Sequence, residues 1–179
     1  MEFKYYGKPW LQAFKGVFFI LLGILSMLQI YGSMQSAAII FSFFIGLTGF
    51  VLFVAPVILK IKINRAWNFI LGSANLAFAL LIILKMNGLR MDIYVIIVYW
   101  MLFNAIAELI EAGILFLRKN AFFALFGIHF LLSLLMGSGF YNLIGNIDEQ
   151  RLFNMGLIAL VFGLVNELSA YMLSIKKPE

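Results

Sequence analysis

Apolar runs, each near the roughly 20 helical residues that a hydrocarbon core about 30 Å thick requires, follow one another along almost the whole chain. The charged residues fall mainly between them. Inside a bilayer no water satisfies the backbone, so a crossing segment must close its own hydrogen bonds as a helix or join a sealed barrel. The runs lack the alternation and the roughly ten-residue spacing of barrel strands. A chain of 179 residues has room for six crossings with short links. The expected fold is all-α: a polytopic integral membrane protein with six transmembrane helices, forming one transmembrane domain over residues 1–179.

Composition removes most other classes. Hydrophobic residues make up 64% and charged residues 12%, against about 45–50% and 25% in soluble domains. Little is left from which to build a soluble domain. The chain has no cysteine, which excludes disulfides and thiolate metal sites. The net charge of +5 is not a nucleic-acid signal, because the Lys and Arg residues sit in short clusters at the ends of the runs. The first run, Trp10 to Ile30, is longer than a signal-peptide core and holds Gln12 and Lys15. It reads as a retained span rather than a cleaved leader.

The six spans are expected at about 10–30, 37–59, 66–84, 93–117, 121–144 and 152–175. With the N-terminus inside, one face collects Lys4, Lys8, Lys15, Lys60, Lys62, Arg65, Arg118, Lys119, Lys176 and Lys177, and the other only Lys85, Arg90 and Arg151. That asymmetry places both termini in the cytoplasm. Trp10 and Trp67 fall at headgroup level, and Trp100 lies deeper, between helices.

The odd-numbered spans resemble one another. Trp10-Leu-Gln-Ala-Phe-Lys-Gly16, Trp67-Asn-Phe-Ile-Leu-Gly72 and Phe122-Phe-Ala-Leu-Phe-Gly127 place their glycines 56 and 55 residues apart. Seven residues beyond each glycine stand Gly23, Ala79 and Leu134, on the same helix face. The even spans repeat more loosely, through Thr48-Gly49, Phe103-Asn104 and Phe162-Gly163. This predicts three helical hairpins, about 10–59, 66–117 and 121–175, related as parallel repeats. Gly16, Gly23, Gly72, Gly127 and Gly163 are the expected helix-packing positions, since small residues let backbones approach closely. Gly137-Ser138-Gly139 is a place where the fifth helix would bend or end early, because glycine weakens a helix.

The stretch Lys15-Gly16-Val-Phe-Phe-Ile-Leu-Leu-Gly23-Ile-Leu-Ser resembles the basic-Gly helix that recurs in HdeD-like bacterial membrane proteins. The similarity extends through the spacing of aromatics, glycines and hairpins over essentially the whole chain. It departs from the family pattern at Leu71 and Phe126, where a basic residue would precede the glycine. The resemblance implies a six-span inner-membrane protein of the acid-resistance type, acting in envelope stress without an assigned catalytic residue.

A charge near the bilayer centre costs about 2.5–3.5 kcal/mol on insertion scales, so such residues face the bundle interior. Glu108 lies nine residues before Leu117 and Glu167 eight before Ile175, while His129 lies eight after Ala121 and Asn75 nine after Ala66. At 1.5 Å per residue all four sit about 12–14 Å from one membrane face. Lys15 is shallower and can snorkel to the headgroups. Three readings of this layer stand side by side. It is structural glue made of hydrogen bonds across helices; or a proton- or cation-handling site with Glu108 and Glu167 titrating and His129 relaying; or a carboxylate metal site, for which the usual Glu-x-x-His pairs are missing.

No phosphate loop, catalytic triad or His-x-x-x-His pattern occurs, and the links are too short to build a catalytic face. The expectation is therefore a non-enzymatic protein with no cofactor and no metal. Its one certain partner is the lipid bilayer, with a homo-oligomer or another membrane protein left open. The alternative is a small proton- or cation-linked transporter or channel built on the Glu/His layer.

Overall fold

A computed structural model describes residues 9–28, 34–58, 65–85, 90–117, 119, 122–143 and 149–175. All of its regular structure is helical: α1 (Pro9–Met27), α2 (Met34–Ile58), α3 (Arg65–Lys85), α4 (Arg90–Leu117), α5 (Phe123–Leu143) and α6 (Glu149–Ile175). Of the basic residues in the links, Lys60, Lys62 and Arg118 lie outside the described residues. Five helices hold apolar stretches of 19–25 residues, long enough to cross a membrane; in α2 the described apolar stretch is Ile39–Val54. Proline opens α1, where its missing N–H is no loss. The chain turns between α4 and α5 at Lys119, whose φ of 53° is left-handed. Helix α5 continues unbroken through Gly137 and Gly139 to Leu143. The helix does not end early there, and the Ser138 hydroxyl donates to the Leu135 carbonyl at 2.8 Å within the same helix.

The most extensive helix pairs are α1 with α6, α2 with α3, and α4 with α5. Within the hairpins read from the sequence, α1 barely touches α2, and α3–α4 and α5–α6 are looser than the main pairs. Each odd helix therefore packs tightly against the even helix that precedes it, with α6 closing back on α1. The three tight pairs map onto one another when the element order is shifted by two.

Glycines set two of these pairs. In α1–α6 the register is antiparallel: a Cβ added to Gly23 would lie 2.7 Å from the Gly156 carbonyl oxygen, and one added to Gly163 2.8 Å from that of Gly16. In α2–α3 the same holds for Gly49 and Gly72, each 2.9 Å from the other's carbonyl oxygen by this measure. Lipid tails are as apolar as leucine, so helix association in a bilayer rests on such close van der Waals packing. The third pair differs. At Gly127 an added Cβ meets open space, so the expected close approach does not occur. Between α4 and α5, Leu115 and Phe126 share a buried cluster, and a Cβ added to Gly137 would stand at an ordinary 3.5 Å from the Met101 Cβ.

The main apolar core runs through all six helices and is strongly aromatic. Phe18 stacks on Phe44 at 4.5 Å, Phe19 meets Phe162 at 4.6 Å, and Phe41 meets Phe140 edge-on at 5.5 Å. Outward faces carry Phe43, Phe50, Leu80, Tyr99, Leu131 and Leu164, all exposed. An aqueous surface would not tolerate so many; a lipid-facing one requires them.

Candidate functional site

Glu108 projects from α4 into the bundle and is 5% exposed. Its Oε2 accepts a hydrogen bond from Ser133 Oγ of α5 at 2.7 Å. Its Oε1 stands 3.7 Å from Lys15 Nζ of α1, an ion pair just beyond hydrogen-bond reach, and has no hydrogen-bond partner. Lys15 does not snorkel as expected. Its side chain is 19% exposed and turns inward to the carboxylate. The physical reason is the cost of leaving Glu108 alone: a buried charge without a counter-charge is strongly unfavourable, and an ammonium on a flexible stem within reach removes that cost.

Lys15 and Glu108 line a small cavity, with room for about one water-sized group, among residues from all six helices. Its polar wall is Thr48 from α2, Asn75 from α3, Asn104 from α4 and Ser133 from α5; its aromatic wall is Phe18, Phe19, Phe44, Trp100 and Phe162. Each polar group is fixed. Thr48 Oγ1 donates to the Phe44 carbonyl at 2.8 Å, and Asn104 Nδ2 to the Trp100 carbonyl at 2.8 Å. Asn75, 2% exposed, donates through Nδ2 to the Leu71 carbonyl at 2.7 Å and accepts from Trp100 Nε1 at 2.8 Å. That last bond locks the indole across α3 and α4, where it also stacks near Phe19.

The other two members of the expected layer stand apart from the cavity wall. His129 of α5 is fully buried, with Nε2 2.9 Å from Ser169 Oγ of α6. The Ser169 hydroxyl proton is committed to the Val165 carbonyl at 2.6 Å. His129 Nε2 is therefore the donor to Ser169, and its Nδ1 is buried without a partner. Ser133 is four residues along from His129 on α5, on the same helix face, so the two polar clusters are one turn apart. Glu167 of α6 lies over the backbone of Gly16: a Cβ there would come within 2.6 Å of its Oε1. That oxygen is also buried and unpartnered, as are Gln12 Oε1 and Asn166 Oδ1. Among the described residues no three His, Cys, Asp or Glu side chains gather as a metal-binding group.

Of the four residues marked by depth, then, Glu108 and Asn75 share the cavity, and His129 and Glu167 occupy separate helix contacts. Sequence reasoning missed Lys15 as the counter-ion and Ser133 and Ser169 as partners. Lys15 had a usable signal, being a cation inside a span of a protein with a deep carboxylate. The serines had none, because small residues on helix faces read equally well as packing. Nearer the end of the bundle, Glu111 Oε1 accepts from Trp67 Nε1 at 2.9 Å, tying α4 to α3.

An all-helical bundle with lipid-facing flanks and an ion pair in its interior defines a polytopic membrane protein. No protein-family model, no curated protein and no solved structure matches this chain.

Proposed function

We propose that this is a non-enzymatic, HdeD-like protein of the bacterial inner membrane, with both termini cytoplasmic, that acts in envelope stress or acid tolerance. The observation that supports the reading most is the Lys15–Glu108–Ser133 cluster at the heart of the bundle. A charged pair held inside a membrane protein is costly, and such residues commonly serve function. Proton uptake by Glu108 would discharge its attraction for Lys15, free the lysine to reach the headgroups, and loosen the contact of α1 with α4. Groups facing Glu108 are Lys15 from α1, Ser133 from α5, and Glu111 one turn along α4. The test is survival at low pH of a strain lacking the gene, complemented with wild type or Glu108→Gln. Reduced survival of the deletion, restored by wild type but not by the variant, is expected. Full survival of the deletion strain removes the proposal.

A second reading is favoured by the cavity itself: a small proton- or cation-linked transporter or channel. The ion pair lines a space in the centre of the bundle, where a carrier holds its cargo. Purified protein in liposomes loaded with a pH-sensitive dye tests it, and no flux under any imposed gradient rejects it.

A further inference from the structure

We infer that the central cavity is a binding site for a small ammonium-type cation, and that Lys15 is a tethered resident occupying it in the ligand's absence. The inference rests on the second reading for its biological use, but it concerns binding alone.

Hydrogen-bond accounting carries the argument. The hydroxyl protons of the wall are spent: Thr48 donates to the Phe44 carbonyl and Ser133 to Glu108. Asn75 and Asn104 each commit an amide N–H to a carbonyl of their own helix, and the Trp100 N–H goes to Asn75. What these groups leave is oxygen lone pairs and one further amide N–H on each asparagine, together with Glu108 Oε1, which is buried and accepts from no donor. A hydroxyl whose proton is taken can only accept. An anion entering here would sit against the buried Glu108 carboxylate, which repels it. A cation carrying N–H groups finds a carboxylate, several oxygens and the faces of a strongly aromatic wall. Aromatic faces attract cations within about 6 Å, most strongly when water is excluded.

The lysine fits the role of a displaceable occupant. Its ammonium belongs to the same chemical class as the inferred ligand. At 3.7 Å it satisfies the charge of Glu108 without making a hydrogen bond, and a fifth of its side chain remains exposed. Its stem is long enough to swing outward and let another ammonium take its place. The site thus always holds one positive charge, supplied by the chain or by the ligand.

Equilibrium binding of radiolabelled methylammonium to the full chain in lipid nanodiscs tests this. Wild type is expected to bind saturably, and Lys15→Met to bind about tenfold tighter or more, because the internal competitor is gone and the carboxylate needs a counter-charge. Glu108→Gln is expected to lose binding. Thermal unfolding provides a second measurement: methylammonium should raise the midpoint of Lys15→Met and leave that of Glu108→Gln unmoved. If Lys15→Met does not fold, methylammonium protection of wild type that vanishes in Glu108→Gln carries the same weight. Absence of binding to both wild type and Lys15→Met overturns the inference, as does binding that survives Glu108→Gln. Binding without flux in liposomes rejects only the transport reading, whereas proton flux without methylammonium binding rejects only this one.

Discussion

Substituting alanine at Gly23 probes what holds α1 to α6. The added methyl would lie 2.7 Å from the Gly156 carbonyl oxygen and 2.8 Å from the Leu160 nitrogen, against 3.4–4 Å for ordinary contact. Both obstacles are backbone, so no side chain can swing aside and the helices must part by about 0.7 Å. Retreat of 0.5–1 Å forfeits about a quarter to a half of each dispersion well along the seam, and overpacking of this kind costs about 1–3 kcal/mol. Alanine also favours the helix over glycine by up to about 1 kcal/mol, which offsets part of the loss. Gly127→Ala isolates the contact, because it carries the same helix gain but places its methyl in open space. The difference between the two variants should therefore be about 2 kcal/mol, with Gly23→Ala the less stable. Reversible unfolding by SDS titration in mixed micelles, followed by far-ultraviolet circular dichroism, measures it. Equal stabilities, or a Gly127→Ala variant weaker than Gly23→Ala, would refute the assignment of α1–α6 as a backbone-contact interface.

Further outcomes are expected from the polar groups. Lys15→Met should destabilise the protein by about 3 kcal/mol, the low end for breaking a buried pair because the lysine is partly exposed. The double variant Lys15→Met/Glu108→Gln should recover much of that, and a thermodynamic cycle that shows no coupling would mean the two groups do not interact. Trp100→Phe leaves Asn75 Oδ1 without its indole donor and should cost about 1–2 kcal/mol by the same unfolding assay. Trp67→Phe, which removes a partly buried bond to Glu111, should cost less, within about 1 kcal/mol. The chain contains no cysteine, so single cysteines replacing Lys4 or Lys177 can be tested with an impermeant thiol reagent on whole cells. Both should be protected until the membrane is opened; labelling of either from outside reverses the proposed orientation.

Much of the architecture was readable before any coordinates. Six apolar runs became six helices whose ends fall within a few residues of expectation, because crossing hydrocarbon leaves the backbone little choice. Gly16, Gly23, Gly72 and Gly163, picked out by their spacing, all have neighbouring backbone or side chains at close range. A period along one helix identifies a face but not what lies against it, so the hairpin reading did not reveal that α1 lies against α6. Gly127 fits the period and yet faces open space, although α4 and α5 pack as extensively as α2 and α3. Depth alone placed Glu108 and His129 inside the bundle. It did not separate them into two clusters, since helix rotation and partner order are absent from a one-dimensional count. Lys15 was misjudged for a related reason. Distance from the span's end describes how easily it reaches water, and says nothing of a carboxylate on a helix far along the chain.

The seating of the first helix against the last bears on how a ribosome-fed chain assembles. As the chain enters the membrane, α2–α3 and α4–α5 can dock soon after each is made, while the glycine groove of α1 has no counterpart until translation reaches α6. Lys15 and Glu108 meanwhile come from separate docking units, so the ion pair at the centre need not form before the outer ones are in place. Closure of the ring then acts as the final latch, and a nascent chain stopped short of α6 should be left with an open seam facing lipid.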